Sequence, residues 1–453
     1  MDIDTSIFKA YDIRGVYPKS LDENLAEKIG RALARLIKSE NPGQQVTIMV
    51  ARDMRVSSPA LTERVIEGLL KSGVNVMDVG LASTPTFYFG VAYYGYTAGI
   101  QISASHNPPE YNGFKMVRAR GVPISEASGI VQMKDWVIED KFTDENPGQS
   151  EKRSGILEDL VKVQKEWVDW ANIKPYKIAI DTANGMGGPD IDAMFKGTRC
   201  ELVRLNFDLD GNFPVHQADP LKEENLKWVK EAILKSRADL GIAIDGDADR
   251  YFFIDENGDT VPQDILRGLV AQIMLSKYPG EKMGYDIRPG RATIDLIEAA
   301  GGIPVVNRVG HSLIKEQMLK ENIVFSGEIS GHYFFKQVYG TFEAPTILVG
   351  LFLDFVSKSG KKLSQIWKPF AIYFHSGEIN SEVKDTKAKI EEIKIKYSDG
   401  KQMFMDGISV EYPDYWFNVR PSNTEPKLRL NLEARTKQLM ETKRDEILAL
   451  IRS

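Results

Sequence analysis

Residues 240–254 read LGIAIDGDADRYFFI. Leu240–Ile244 is a short apolar run of strand length, and Arg250–Ile254 is another. Between them stand Asp245, Asp247 and Asp249, at alternate positions. In an extended chain they share one face; in a curled chain they converge on one point. Three carboxylates at close quarters repel. A hard divalent cation relieves that repulsion, and oxygen-only ligands suit Mg²⁺ or Ca²⁺. An EF-hand loop is the rival, because Asp245 through Glu256 also place acids at loop positions 1, 3, 5 and 12. Its sixth position needs glycine but holds Arg250, and its flanks are strands rather than helices. The stretch therefore reads as strand, metal loop, strand, with Arg250 suited to an anionic ligand beside the metal. A solvated acidic turn is the alternative.

Strands and helices alternate outward from this hairpin. Ser20-Leu-Asp-Glu23 reads as a capping box ahead of apolar residues at 25, 29, 32, 33, 36 and 37, which is helical spacing. Gln45–Val50 reads as a strand, and Ser58-Pro59 opens a helix that stops at Gly73. Lys177–Ile180 is a strand running into a turn at Asn184–Gly188, and Asn257-Gly258 marks a further turn. VTIMVARDMRVSSPAL, YKIAIDTANGMGGPDI and MGYDIRPGRATIDL each read strand, polar loop, helix. Each is followed by a second apolar run that ends in a polar loop: ISASHNP, IAIDGDADR and IVFSGEISGH. This is a topological repeat of three related α/β domains with mixed sheets, each presenting a loop at the carboxyl end of an equivalent strand, where open α/β sheets bind ligands. The last part differs. HSGEINSEV, ISVEYPDYWFNVRPSN and KLRLNLEA are strand-rich and Thr436–Arg452 is helical in pattern, giving a C-terminal α+β domain. Boundaries fall near residues 150, 252 and 368, giving domains 1–150, 151–252, 253–368 and 369–453.

A length of 453 residues accommodates three or four such domains. Apolar residues at 42% and charged residues at 27% give an ordinary globular balance. Stretches such as Ala344–Val356 fall short of a bilayer span. The beginning, MDIDTSIFKA, lacks the apolar core of a secretory signal. Cys200 is the only cysteine, so no intrachain disulfide forms, which fits a reducing, cytoplasmic setting. A net charge of −6 without a Lys/Arg block argues against nucleic acid as the main partner.

The loop ISASHNPPEYNGFK (102–115) sets Ser105 beside His106, stiffens the following residues with Pro108-Pro109, and supplies Lys115. A hydrolase nucleophile is disfavoured: no G-x-S-x-G surrounds Ser105, and adjacency in sequence is not contact in space. A phosphorylated serine fits better. It needs cations around it, and Lys115, Arg14 and Arg250 together with a metal on the aspartates would supply them. A plain turn is the alternative. In GEISGH (327–332), Glu328 and Ser330 sit two apart, able to grip two vicinal sugar hydroxyls, while His332 could bond or move a proton; a helix cap is the alternative. RPSNTEPK (420–427) concentrates Arg420, Ser422, Asn423 and Thr424, donors suited to a phosphate dianion, against the alternative of a hairpin turn. YDIRG (11–15) puts Arg14 in a turn with Gly15, and Tyr11 and Ile13 in the core. His216, His311 and His375 show no metal spacing; His311, after Val309-Gly310, is the one to watch. Asn184–Gly188 lacks the spacing of a dinucleotide loop.

Taken together, YDIRG, SASHNPPEYNGFK, DGDADR, GEISGH and RPSNTEP resemble the α-D-phosphohexomutases, in particular the bacterial phosphomannomutase/phosphoglucomutase branch. The motifs stand in that family's order and span nearly the whole chain. The resemblance implies four domains around a central cleft, the fourth of them mobile. It implies interconversion of hexose 1-phosphate and 6-phosphate through a phosphoserine and a 1,6-bisphosphate, which also serves as activator. Ser105 resembles the phosphoserine, and with Asp245, Asp247 and Asp249 it resembles the Mg²⁺ ligand set. Arg14, Lys115 and Arg250 resemble the residues around the transferring phosphate, and His106, Lys115 and His332 are acid/base candidates. Glu328 and Ser330 resemble sugar-hydroxyl readers, with His311 and Arg288 as further substrate-binding candidates. Arg420, Ser422, Asn423 and Thr424 resemble the site for the phosphate not being transferred. Phosphorylated hexoses are the expected partners, with no nucleic acid and no membrane, and the expected state is a monomer or weak homodimer.

Some positions depart from the family's pattern: Ser103 where threonine is usual, Arg288 where a third-domain lysine is common, and YGTFEAPT with only Glu343 where aspartates are usual. A phosphoglucosamine mutase is the nearest alternative; Ile329, between Glu328 and Ser330, looks like the mannose/glucose type. A Mg²⁺-dependent sugar phosphatase and a non-catalytic sugar-phosphate sensor are the readings from other classes.

Overall fold

The computed structural model describes residues 3–288, 290–422 and 427–453. In chain order the first part carries β1 (Ile13–Val16), α1 (Glu23–Glu40), β2 (Thr47–Arg52), α2 (Ser58–Lys71), β3 (Asn75–Leu81), α3 (Thr84–Tyr93), β4 (Ala98–Ile102), β5 (Tyr111–Arg118), α4 (Ile130–Glu139) and β6 (Ser150–Lys152). There follow α5 (Ile156–Lys165), β7 (Lys177–Asp181), α6 (Gly187–Phe195), β8 (Glu201–Leu205), α7 (Lys227–Ser236), β9 (Leu240–Ile244) and β10 (Tyr251–Asp255). Next come α8 (Gln263–Lys277), β11 (Lys282–Asp286), α9 (Arg291–Ala299), β12 (Ile303–Asn307), α10 (His311–Glu321) and β13 (Phe325–Gly327). The chain continues with β14 (Tyr333–Lys336), β15 (Thr341–Glu343), α11 (Pro345–Ser359) and α12 (Leu363–Trp367). It ends with β16 (Phe374–His375), β17 (Ile379–Glu382), α13 (Thr386–Lys396), β18 (Lys401–Met403), β19 (Ile408–Glu411), β20 (Tyr415–Pro421), β21 (Lys427–Ala434) and α14 (Lys437–Arg452). No described helix is long and apolar enough to cross a membrane.

The chain divides into two compact units: residues 3–260 with 330–364, and residues 261–329 with 365–453. In the first unit one mixed sheet has the order β1-β5-β4-β2-β3-β6, parallel at its centre and antiparallel at β4–β5 and β5–β1. Its strands are apolar on both faces because helices cover both. One side holds Ile48, Val50, Ile100 and Ile102 against α1 and α2; the other holds Met49 and Ala51 with Phe87, Phe89 and Leu160. A second sheet, β10-β9-β7-β8, is parallel except at β9–β10. In the second unit β12, β11 and β13 run parallel, while β16, β21, β20, β19 and β18 form an antiparallel sheet with β17 on β21. The expected α/β class with mixed sheets and a C-terminal α+β part is what the chain adopts.

Two local expectations give way. The first helix starts at Glu23 rather than on a Ser20 box: Asp22 caps it, accepting from the Leu25 amide at 2.8 Å, while the Ser20 hydroxyl accepts from the Val16 amide at 3.0 Å. Arg14 lies within β1 rather than in a turn, because Ile13–Val16 pairs with Tyr111–Phe114. The apolar positions at 25, 29, 32, 33, 36 and 37 are all buried, as helical spacing requires.

Candidate active site

In the first unit β4 ends at Ile102 and the chain turns through Ser105 before returning as β5. Ser105 itself has φ +50, the left-handed region that costs a side-chain-bearing residue about 1–2 kcal/mol. Its amide donates to the Ser103 hydroxyl at 3.1 Å, so serine at 103 shapes the turn. Its Oγ donates to Asp245 Oδ2 at 3.0 Å and lies 3.2 Å from His106 Nδ1.

Asp245 follows β9, and the chain curls there rather than staying extended. The amides of Asp249 and Arg250 both donate to Asp245 Oδ1 at 3.1 Å, and Ala248 has φ +62. Gly246 lets the two loops meet, since a Cβ there would stand 2.5 Å from the Ser105 carbonyl oxygen. Asp245, Asp247 and Asp249 are all buried and each offers an oxygen within 4.8 Å of the others'. Asp247 Oδ1 and Asp249 Oδ1 accept no hydrogen bond among the described residues. Hard oxygen ligands in this number and spacing fit a divalent cation.

The Lys115 ammonium donates to Asp247 Oδ2 at 2.5 Å and Asp249 Oδ2 at 2.9 Å, and Thr84 also donates to Asp247. Burial pushes Asp245 well up, and the like charges of Asp249 and Asp247 push it further. Burial acts the same way on Asp247, but Lys115 and its hydrogen bonds more than offset it and hold that carboxyl well below the usual range. Lys115 would be lowered by burial, yet Asp247 and Asp249 raise it well above the ordinary lysine range.

Cations and imidazoles border this cluster. Arg14 donates to the Asn107 side chain at 2.6 Å and to Asp12 at 2.5 Å, tying β1 to the Ser105 turn. Burial, then Arg250 and Arg14, push His106 well below the ordinary histidine range, so its ring is neutral at pH 7. Arg250 Nε donates to His332 Nε2 at 3.0 Å, which leaves the His332 proton on Nδ1, 3.4 Å from Glu343 Oε1 and 3.6 Å from Asp249 Oδ1. Glu343, the acid left in the departing YGTFEAPT stretch, thus stands next to an expected site residue.

In the second unit Arg288 pairs with Asp286 and reaches Glu328 Oε1 at 3.4 Å. Burial would raise Asp286, but Arg288 and Arg267 hold it below the usual range. Glu328 Oε1 also accepts from the Gly310 amide at 3.1 Å, which sets it beside the start of α10 and His311. The GEISGH stretch runs from β13 to β14 with no helix following, so the cap alternative fails there; Ser330 is buried. Arg420 ends in an ion pair with Glu378 at 2.7 Å. Ser422 donates its amide to the Lys427 carbonyl across the β20–β21 connection, and Asn423 and Thr424 lie outside the described residues.

The sequence showed no metal spacing at His375, yet the fold joins it with Asp264 and Glu433 in a group whose ligand atoms lie within 4.8 Å of one another. His216 pairs with Asp181 at 3.1 Å and stacks on Trp228, and His375 pairs with Glu433 and Asp264. Sequence reasoning missed Thr84, Asp286, Gln217 and Arg55. Gln217 donates to the His106 carbonyl at 3.0 Å. Asp286 carried a usable signal, an acid at the carboxyl end of a strand in the repeated pattern; the others carried none.

Profiles of the phosphoglucomutase/phosphomannomutase alpha/beta/alpha domains I, II and III match residues 5–135, 157–258 and 262–373, and the profile of the C-terminal domain matches 378–450. The chain belongs to the phosphoglucomutase/phosphomannomutase family. It is 38% identical over 451 residues to a phosphomannomutase of Methanocaldococcus jannaschii, covering 99% of this chain and 98% of that one. It is 39% identical over 453 residues to phosphohexose mutases of Xanthomonas campestris pv. campestris, covering 98% and 99%. A crystal structure of a phosphoglucomutase/phosphomannomutase family protein from Burkholderia thailandensis superposes with a TM-score of 0.90 at 33% identity, covering 99% of this chain and 97% of that one. The chain is accordingly a phosphohexomutase, an isomerase, with an acidic cluster able to hold a metal.

Proposed function

We propose that this phosphohexomutase interconverts the 1- and 6-phosphates of mannose, glucose or both, through phosphorylated Ser105 and a hexose 1,6-bisphosphate. The observation that carries this reading is the buried contact of Ser105 Oγ with Asp245, 3.0 Å long, inside a cluster of three carboxylates. A free serine at that place has no need of three acids; a serine phosphate shared with a cation does. The phosphomannomutase names of the relatives support the hexose assignment.

In the first half-reaction the bond from phosphorus to Ser105 Oγ breaks as phosphorus bonds to the free hydroxyl oxygen of the hexose phosphate. The hydroxyl proton passes to a side chain, and Ser105 Oγ is reprotonated before it accepts phosphate again. The bisphosphate turns over, and its other phosphate returns to Ser105. His106, Lys115 and His332 are the acid/base candidates for that proton, with the His106 ring neutral and Lys115 charged before transfer. Mg²⁺ held by Asp245, Asp247, Asp249 and the Ser105 phosphate would neutralise charge on the transferring group. Arg14, Lys115 and Arg250 add positive charge for that group. Glu328, Ser330, His311 and Arg288 are assigned to the sugar, and Arg420, Ser422, Asn423 and Thr424 to the phosphate that stays. The same reading divides the chain near residues 150, 252 and 368.

Phosphorus NMR tests the proposal, on purified protein with Mg²⁺, a trace of glucose 1,6-bisphosphate, and mannose 1-phosphate or glucose 1-phosphate. Conversion of the 1-phosphate signal to 6-phosphate is expected. Growth of inorganic phosphate alone would mean that water, not sugar, accepts the group. No change in either tube would remove both hexoses from the assignment.

A further inference from the structure

Arg55 stands between β2 and α2, with a side chain that no solvent reaches. Its guanidinium donates to four backbone carbonyls of one turn. Nη2 reaches Ser105 at 2.8 Å and Asn107 at 2.6 Å, and Nη1 reaches Pro108 at 2.7 Å and Tyr111 at 2.9 Å. Nε lies 3.2 Å from Asp53 Oδ2. Asp53 is itself held by the Arg55 amide at 3.0 Å and the Ser58 hydroxyl at 2.6 Å. The Phe213 ring covers the guanidinium at 5.0 Å, and the chain at Gly211 passes so close that a Cβ there would stand 2.5 Å from Arg55 Cα.

A buried guanidinium is costly unless each N–H finds an acceptor. Pairing with Asp53 would balance the charge by itself. The four carbonyls do something else: they fold the 105–111 turn around one planar fork of donors. Ser105 is the member of that turn with φ +50, and its carbonyl is one of the four. The residue that presents Oγ to Asp245 is thereby gripped from behind in a backbone conformation it would otherwise avoid.

We propose that Arg55 is a positioning residue for phosphoryl transfer, clamping the 105–111 turn so that Ser105 Oγ stays at the acidic cluster. This rests on the phosphoserine reading above. Arginine is required because only a planar fork of donors reaches four carbonyls at once while its charge faces a carboxylate; lysine offers three donors from one point.

The test compares wild type with Arg55→Lys and Asp53→Asn. Each is incubated with hexose 1,6-bisphosphate, Ser105 phosphorylation is followed by mass spectrometry, and kcat and KM are measured separately. Wild type should become phosphorylated at Ser105. Arg55→Lys should lose roughly 100-fold in kcat, as expected for a displaced reacting atom, with little change in KM and slower phosphorylation of Ser105. Asp53→Asn leaves the guanidinium in place but less firmly oriented and should lose roughly tenfold in kcat in the same pattern. If Arg55→Lys fails to fold, Asp53→Asn decides alone. Unchanged kcat, or a loss confined to KM, in the variants that fold would overturn the proposal while leaving the phosphoserine reading intact. Absence of phosphate on Ser105 in active wild type would instead overturn that reading, and the clamp with it.

Discussion

At the scale of single residues, the candidate site depends on close approach and on charge. Gly246 stands where a Cβ would press to 2.5 Å from the Ser105 carbonyl. Gly246→Ala should therefore destabilise the chain by about 1–3 kcal/mol, the usual cost of overpacking, and lower mutase activity more than tenfold by shifting Ser105. Denaturant unfolding and turnover on one preparation check both. The three aspartates predict a metal effect. Mg²⁺ at ~100 times its dissociation constant should stabilise the fold by about 2.7 kcal/mol, and Asp249→Asn should remove most of that gain. A melting temperature insensitive to Mg²⁺ would count against a metal there. The aspartates and Ser105 were legible because charge and unusual spacing announce themselves. Arg55 was not, since nothing in a sequence tells a buried arginine from a solvated one.

At the scale of elements, strands and helices followed from patterning, and their ends followed from caps. Asp22, not Ser20, closes the start of α1 because its side chain reaches the Leu25 amide. Asp22→Ala should cost about 1 kcal/mol, whereas Ser20→Ala should leave the helix cap unaffected; a pair of chemical denaturation curves separates the two. The repeat of strand, loop and helix located three loops that carry candidate site residues. Two of them follow parallel strands directly, Asp245 after β9 and Glu328 after β13. Arg14 was misassigned to a turn because four residues pairing with a distant strand leave little periodicity to read.

At the scale of the whole molecule, the second unit carries a titrating cluster of its own. His375 lies 3.2 Å from Glu433 and 3.4 Å from Asp264. Burial raises Glu433, Asp264 adds to it, and the result is about 7 despite His375 and the Arg291 amide. Burial would lower His375, but Asp264 and Glu433 raise it. Both groups bind protons more tightly folded than unfolded. Their contribution is complete below their ordinary ranges and is lost as pH rises through the raised values. Burial would raise Asp264, but His375 holds it low, so its contribution is present above the ordinary aspartate range and is lost only in acid. Stability should thus fall as pH rises from 4.5 to about 7 through Glu433, and further above 6.5 through His375; Glu433→Gln should flatten the lower part of that fall and be more stable than wild type at pH 8. Calorimetry of the full chain across this range is the check, and a profile that Glu433→Gln leaves unaltered would refute it.

The order of the motifs, the α/β class and the identity of most candidate site residues were determined by the sequence alone. Periodicity and local chemistry act over a few residues, and a few residues suffice to write them. Tertiary structure alone decided which of those groups meet. Ser105 reaches Asp245 across 140 positions, Lys115 reaches Asp249 across 134, and Arg55 reaches the Ser105 carbonyl across 50. Such partners are chosen by how sheets and helices pack, and buried polar atoms must find them there because water is excluded.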